Sequence, residues 1–227
     1  MKRVLILDGS IHRSIYQPTA GWRRWLGEME SDSVHLPSGE PVPLLSGYTH
    51  LIVTGSEASI VDDDAWFEVE AAVVRDAAAR GMRVLGSCFG HQMLARALCG
   101  KQHVRRAAAL ELGWVHVEVT CDDPLIGAAG DGVWMFASHF DEVVDPPAAW
   151  RVLARSASCA VHVMRLEDRP IWGLQGHPEI ASGEGRRLLE GFVGLYPDKA
   201  EGLRAALGGA VRDDGAIERV VREFVGS

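Results

Sequence analysis

The sequence predicts an α/β protein with a mostly parallel central sheet, added antiparallel strands and a helical C-terminal tail. Over about the first 110 residues, short apolar runs alternate with helical patterns, which is typical of parallel strands covered by helices on both faces. Beyond that point, short segments in which apolar and polar residues alternate follow one another closely, which favours antiparallel strands. We therefore expect one three-layer domain.

The parallel part is predicted from apolar runs and from the residues that end them. Its elements are a strand over 3–8, a helix over 20–29, a strand over 48–54, a helix over 62–80, a strand over 82–86 and a helix over 91–98. Gly9 and Gly55 follow the first two strands, as turn residues do. The aspartates at 62–64 suit a helix N-terminus, and Gly81 and Gly100 suit helix C-termini.

The second part is predicted from alternation of apolar and polar residues. Its strands cover 114–120, 133–138, 151–154, 160–166 and 171–175. His116 and His162 alternate with valines, so we expect both on exposed strand positions. From about residue 183 the pattern is helical again, with breaks at 196–197 and 208–209.

Charge and cysteine content exclude several classes of protein. With 23 Lys+Arg against 31 Asp+Glu, the net charge is −8, and no basic stripe of the kind that binds nucleic acid is present. No apolar run approaches the length of a membrane span. The four cysteines form no CxxC pair and no zinc spacing, and no nucleotide-binding glycine motif occurs. We therefore expect a cytoplasmic protein without metal, cofactor, nucleic acid or membrane.

The segment at 86–90 reads Gly-Ser-Cys-Phe-Gly and lies between a predicted strand and a helix. This is the pattern of a nucleophile elbow, in which glycines on either side permit a sharp turn. Cys88 would lie at a helix N-terminus, which favours the thiolate, and the N–H of Phe89 would face a developing oxyanion. The alternative is a structural cysteine buried in a tight turn. We expect Cys99, Cys121 and Cys159 to be inert.

A nucleophilic cysteine needs a base, and the base needs an orienting group. Among nine histidines, His177 stands out because it follows the last predicted strand in the sequence His-Pro-Glu at 177–179. A residue before proline is extended, so His177 and Glu179 should project to the same side. The alternative is a turn with a capping acid.

Together these segments resemble the class I (triad) glutamine amidotransferases, and most of all stand-alone members related to the glutaminase domain of GMP synthetase and to γ-glutamyl peptidases. The resemblance covers about residues 1–195. The matching segments, in family order, are Ile-Val-Thr-Gly-Ser at 52–56, Gly-Ser-Cys-Phe-Gly-His-Gln at 86–92, Glu-Leu-Gly-Trp at 111–114, Ser-His-Phe-Asp at 138–141 and Gly-His-Pro-Glu at 176–179. Residues 196–227 would then be a helical extension packed on the same domain.

The resemblance implies a flavodoxin-like fold and specific roles for ten residues. The triad would be Cys88, His177 and Glu179. Gly55 and Phe89 would form the oxyanion hole. The substrate-binding residues would be Ser56, Gln92, Ser138, His139 and Phe140.

Two segments depart from the family pattern. The loop at 55–57 reads Gly-Ser-Glu, where the family often has a second glycine or a proline, so the identity of the second oxyanion donor stays open. Cys99-Gly100 stands where the family usually has Gly-Gly.

The predicted activity is hydrolysis of the γ-glutamyl amide of glutamine or of another γ-glutamyl compound, through a γ-glutamyl thioester on Cys88. A separate synthase subunit would accept the ammonia. The alternatives are a γ-glutamyl peptide hydrolase without an acceptor, a cysteine hydrolase for other bonds, and a non-catalytic regulatory module on the same fold. The sequence leaves the leaving group and the oligomeric state open.

Overall fold

A nine-stranded sheet forms the centre of residues 2–226, which are the residues that the computed structural model describes. Its strands are β1 (Val4–Asp8), β2 (Ser31–His35), β3 (His50–Val53), β4 (Arg83–Ser87), β5 (Val104–Val119), β6 (Gly132–Val143), β7 (Trp150–Arg155), β8 (Val163–Leu166) and β9 (Ile171–Leu174). Their order across the sheet is β2-β1-β3-β4-β9-β8-β7-β5-β6. Neighbouring strands are parallel from β2 to β9 and antiparallel from β9 to β6, which confirms the predicted fold class.

Helices cover both faces of the sheet. They are α1 (Pro18–Leu26), α2 (Ala65–Ala79), α3 (Phe89–Leu98), α4 (Ser182–Leu195), α5 (Ala200–Leu207) and α6 (Ala216–Val225). Side chains of a strand alternate between its faces, so Leu5 and Leu7 of β1 pack with α2 and α3, whereas Val4 and Ile6 pack with α1 and α6. The three layers follow from this alternation.

A third apolar cluster joins the C-terminal helices to the antiparallel strands. Phe136 of β6 packs with Leu188 and Phe192 of α4 and with Leu203 of α5. The helix α6 instead buries Phe224 in the core beside β1. Helices after residue 195 thus pack on the same sheet as the rest of the chain. A boundary between residues 1–195 and 196–227 stays a prediction.

Several element boundaries differ from the predicted ones. β2 is missing from the sequence prediction because it is an edge strand in which only Val34 is buried. β5 and β6 extend well beyond 114–120 and 133–138, because their outer parts pair with each other although many of the β5 residues there are exposed. The helix α1 begins at Pro18, since proline suits the first turn.

In residues 2–226, no helix combines the length and the apolar character that crossing a membrane requires. The cytoplasmic location stays a prediction.

Candidate active site

Cys88 lies at the junction of β4 and α3 in a strained backbone conformation, with φ 49° and ψ −107°. A Cβ on Gly86 would lie 2.5 Å from the Gly90 carbonyl oxygen, and one on Gly90 would collide with the carbonyl of Val53. Both glycines are therefore required for the turn. The predicted elbow is present, and it holds the sulfur at the carboxyl end of β4.

The strand order explains why His177 reaches Cys88. β4 and β9 are parallel neighbours, and the Cys88 N–H donates to the carbonyl of Leu174 at the end of β9 at 2.8 Å. The chain continues to His177, whose N–H donates to the Phe136 carbonyl of β6 at 2.7 Å. Residues that are 89 positions apart thus lie at one edge of the sheet.

Three buried polar side chains meet beside the sulfur. The Nδ1 atom of His177 lies 3.0 Å from Oε1 of Glu179. The hydroxyl of Tyr16 donates to the same oxygen at 3.1 Å and lies 3.3 Å from Nδ1 of His177. His177 and Glu179 are thus on the same side of the chain, as predicted. Tyr16 is an additional member that sequence reasoning missed.

The charges around His177 control its protonation. Burial lowers the pKa of the imidazole, but the negative charges of Cys88 and Glu179, with hydrogen bonds to both, outweigh it and raise the pKa to about 10. The imidazole is therefore protonated at neutral pH. Burial and the charge of Glu179 raise the pKa of Tyr16 well above its usual value, so its hydroxyl remains a donor to Glu179.

The two predicted oxyanion residues both lie next to this cluster. A Cβ on Gly55 would lie 2.6 Å from the Tyr16 hydroxyl and 2.7 Å from Cε1 of His177, so only glycine fits where the loop after β3 approaches the imidazole. Phe89 begins α3, and the first amides of a helix have no carbonyl partner within it. Their roles as oxyanion donors stay a prediction.

A cavity of about 410 Å³ opens on Cys88 and His177, a size suited to a small ligand. The five predicted substrate-binding residues all line it, namely Ser56, Gln92, Ser138, His139 and Phe140. The carbonyl oxygen of Ser138 lies 3.8 Å from the Cys88 sulfur. The side-chain amide of Gln92 donates to the Asp141 carbonyl at 2.8 Å. The structure brings these residues together, while their contacts with substrate stay predictions.

Glu111 of β5 organises a second buried cluster beside the cavity. Its Oε2 atom lies 3.0 Å from Nε2 of His139 and 3.3 Å from Nε2 of His162, and its Oε1 atom accepts from the hydroxyls of Ser156 and Ser158. Burial alone would raise the pKa of the Glu111 carboxyl. The hydrogen bonds from the two imidazoles and Ser156 instead hold it well below its usual range.

The predicted exposure of His162 is wrong, because this residue is completely buried. β8 begins only at Val163, so the alternation of a half-exposed strand does not apply to His162. Burial lowers the pKa of its imidazole, and Glu111 is its nearest charged partner. His116 is exposed, as predicted.

The remaining cysteines have different surroundings. Burial raises the pKa of the Cys99 thiol to about 11. Burial and the charge of Glu111 raise the pKa of Cys159 to about 12. Neither has a positive φ angle. These properties agree with the expectation that Cys99 and Cys159 are inert.

Tyr16 and Glu111 carried different signals in the sequence. Tyr16 lies in the loop after β1, and this loop opens at the carboxyl edge of the sheet where parallel strands bring functional residues together. That position was the available signal. Glu111 belongs to a segment that resembles the family, but the sequence shows no partner for its carboxylate.

Comparisons with known proteins identify the family. The family model for class I glutamine amidotransferases matches residues 33–194. A relative from Sulfurisphaera tokodaii is 30% identical over 71% of this chain and 84% of its own length, and one from Pyrococcus abyssi is 37% identical over 49% and 59%. Both relatives are named as the glutamine-hydrolysing subunit of GMP synthase.

The chain thus spans 59% of the length of the Pyrococcus relative and 84% of that of the Sulfurisphaera relative. The crystal structure of a glutamine amidotransferase from Thermotoga maritima superimposes with a TM-score of 0.78, covering 100% of this chain and 99% of that one at 21% identity. This likeness concerns the fold. By the family model and the Sulfurisphaera relative, the chain belongs to the class I glutamine amidotransferases.

Proposed function

We propose that this protein hydrolyses a γ-glutamyl amide, with Cys88 as the nucleophile, His177 as the general acid and base, and Glu179 as the group that orients the imidazole. The observation that carries the proposal is the convergence of a strained elbow cysteine and a buried histidine–carboxylate pair on one cavity. The raised pKa of His177 supports it, because a protonated imidazole beside the sulfur stabilises a thiolate.

The reaction follows from these positions. The Cys88 sulfur attacks the γ-carbonyl carbon, the carbon–nitrogen bond breaks, and His177 gives its proton to the departing amine or ammonia. His177, now neutral, takes a proton from water as the water attacks the γ-glutamyl thioester. Glutamate leaves, and the Cys88 thiolate and the protonated imidazole are restored.

Backbone N–H groups at Phe89 and in the loop at Gly55 would stabilise the tetrahedral oxyanion. Phe89 follows the nucleophile directly, and the Gly55 loop approaches the imidazole closely. Loss of one such donor costs on the order of 10²- to 10³-fold in rate. In this proposal Gln92 and Ser138 hold the substrate, together with Ser56, His139 and Phe140 along the same cavity.

Glutamine is the proposed substrate because the named relatives are glutamine-hydrolysing subunits. A separate synthase subunit would then receive the ammonia in the cytoplasm, and residues 1–195 would form the glutaminase unit with 196–227 as its extension. Hydrolysis of γ-glutamyl peptides without an acceptor is the second candidate function. Robust turnover by the purified protein alone, eluting as a single species in gel filtration, would favour that candidate.

The test is glutamate release from glutamine and from γ-glutamyl dipeptides. We expect wild-type activity on at least one of these substrates, its loss in Cys88→Ala, and its retention in Cys99→Ala, the matched control at a cysteine outside the cavity. Equal activity in the wild type and Cys88→Ala would contradict the assignment. An inactive wild type, also after addition of glutamine analogues that alkylate thiolates, would favour the non-catalytic module.

A further inference from the structure

The segment between α4 and α5 contributes two side chains to the cavity that contains Cys88. Tyr196 and Lys199, at the start and end of a 3-10 turn over Pro197–Lys199, both line that cavity. They lie beyond residue 194, where the match to the family model ends. The aromatic ring of Tyr196 packs against that of Phe140, with ring centroids 5.5 Å apart. The segment is therefore fixed beside the strand that carries Ser138.

The Lys199 ammonium is held over aromatic rings rather than over a carboxylate of the cavity. Its Nζ atom lies 4.7 Å from the ring centroid of Phe140 and 5.7 Å from that of Tyr196. Its ion-pair partner in the described part of the chain is Asp198 at 2.8 Å, and the Asp198 side chain is 69% exposed. An ammonium has three donors, and aromatic faces accept only weak hydrogen bonds.

The other charged groups of the cavity are already paired. Its charged side chains are Glu57, Asp62, Asp64, Arg106, Asp141 and Lys199. The guanidinium of Arg106 lies 3.2 Å from Asp141 and 3.7 Å from Asp62, two carboxylates of the same cavity. Glu57 accepts the N–H groups of Ile11 and His12 at 2.8 Å and 3.2 Å. Lys199 thus differs from Arg106 because the carboxylate that pairs with it lies in solvent.

We propose that Lys199 is a specificity-determining residue that binds a carboxylate group of the substrate. This inference rests on the proposed γ-glutamyl hydrolysis and adds a recognition element to it. Phe140 follows Ser138 by two residues, and the Ser138 carbonyl lies 3.8 Å from the nucleophile, so the ammonium is near the reacting carbon. Two carboxylates suit this place: the α-carboxylate of the γ-glutamyl group and the carboxylate of an amino-acid leaving group. Either would form a charge-assisted hydrogen bond.

The experiment compares kcat/KM for matched pairs of substrates in the wild type, Lys199→Met and Lys199→Arg. One pair is glutamine and its α-carboxamide; the other is γ-glutamylalanine and its C-terminal amide. Methionine keeps an aliphatic stem over the two rings, so packing is preserved. We expect the wild type to prefer the carboxylate member of one pair roughly tenfold to hundredfold, mainly through KM. The preference should disappear in Lys199→Met and persist in Lys199→Arg.

The two pairs identify the carboxylate. A preference lost only for the glutamine pair assigns Lys199 to the α-carboxylate, and one lost only for the dipeptide pair assigns it to the leaving group. Discrimination that is equal in the wild type and Lys199→Met for both pairs, or absent from the wild type, overturns the proposal. A wild type that hydrolyses none of the four compounds overturns the proposed function itself.

Asp198→Asn is the matched control, because it removes the exposed partner and leaves the ammonium in place. We expect it to retain kcat/KM for glutamine. A loss as large as that of Lys199→Met would show that the ion pair orders the segment, and would overturn a direct contact between Lys199 and substrate. Thermal unfolding of each variant establishes that it is folded.

Discussion

Two buried glutamate–histidine pairs flank the cavity, and their surroundings differ although their geometry is alike. Glu179 lies 3.0 Å from Nδ1 of His177, and Glu111 lies 3.0 Å from Nε2 of His139. The first pair faces the sulfur of Cys88, and the charges there raise the pKa of the imidazole to about 10. In the second pair, hydrogen bonds from imidazoles and serines hold the pKa of the carboxylate low.

The difference shows that a buried carboxylate–imidazole contact does not by itself make a catalytic pair. What matters is whether a nucleophile or further hydrogen-bond donors complete the shell. We therefore expect substitutions in the His177 pair to affect mainly turnover. Substitutions at Glu111 should affect mainly the stability of the fold.

The largest effect is expected for His177→Asn. Removal of the proton donor and acceptor should lower kcat for glutamate release by about 10⁴-fold or more, because nucleophile and base act as a unit. The free energy of unfolding at neutral pH should change far less in relative terms. Steady-state kinetics and urea unfolding on the same preparation measure both. A fall of less than about tenfold in kcat would break the proposed distinction between the two pairs.

Glu111→Ala is expected to cost about 3 kcal/mol or more in the free energy of unfolding. The substitution leaves several buried donors without an acceptor, which is the expensive way to disrupt a polar cluster. Glu111→Gln is the matched variant, since it keeps the volume and one acceptor oxygen, and it should cost less. Urea unfolding of the two variants checks this order. Wild-type stability in Glu111→Ala would show that the cluster holds little of the fold together.

The two pairs should have opposite effects on the pH dependence of stability. The folded-state pKa of His177 is raised from 6.5 to about 10, so its stabilising contribution is complete below pH 6.5, declines above it and is lost beyond about pH 10. The pKa of Glu111 is lowered from 4.5, so its contribution is present above pH 4.5 and is lost as the pH falls through the lowered value. Each group contributes at most about 1.4 kcal/mol per pH unit.

Urea unfolding at a series of pH values from 4 to 10 tests this contrast. His177→Asn should flatten the alkaline limb of the stability profile, and Glu111→Gln should flatten the acid limb. An unchanged limb in either variant would contradict the corresponding assignment.

Tyr16→Phe is expected to have the smallest effect. The variant loses one hydrogen bond to Glu179 and retains the aromatic packing, so kcat should fall by about tenfold at most. Measurement of kcat and KM for glutamine checks this. A loss as large as that of His177→Asn would show that the hydroxyl takes part in proton transfer, and would make Tyr16 more than a positioning residue.

The parts of the site that the sequence predicted are those in which the chemistry is written locally. The elbow requires glycines on either side of Cys88, and His177 and Glu179 are two positions apart, so short segments contain the necessary pattern. The apolar runs of the parallel strands are equally local, and the fold class follows from them.

The parts that escaped prediction depend on contacts between distant segments. Tyr16 reaches His177 across 161 positions, and Ser158 reaches Glu111 across 47, with no periodicity to connect them. His162 was misassigned because alternation with valine is also seen where a segment is buried from both sides. Lys199 lies in a region whose sequence shows only helical spacing, and its place beside Phe140 results from the packing of α4 and α5.

The most direct test of the proposed mechanism is to trap the acyl-enzyme. The wild type is mixed with glutamine, quenched with acid during turnover, digested and analysed by peptide mass spectrometry. The mechanism predicts one glutamyl group on the peptide that contains Cys88, removed by hydroxylamine, and unmodified Cys99, Cys121 and Cys159 as internal controls. Turnover without an adduct on Cys88, or with the adduct on another cysteine, would contradict it.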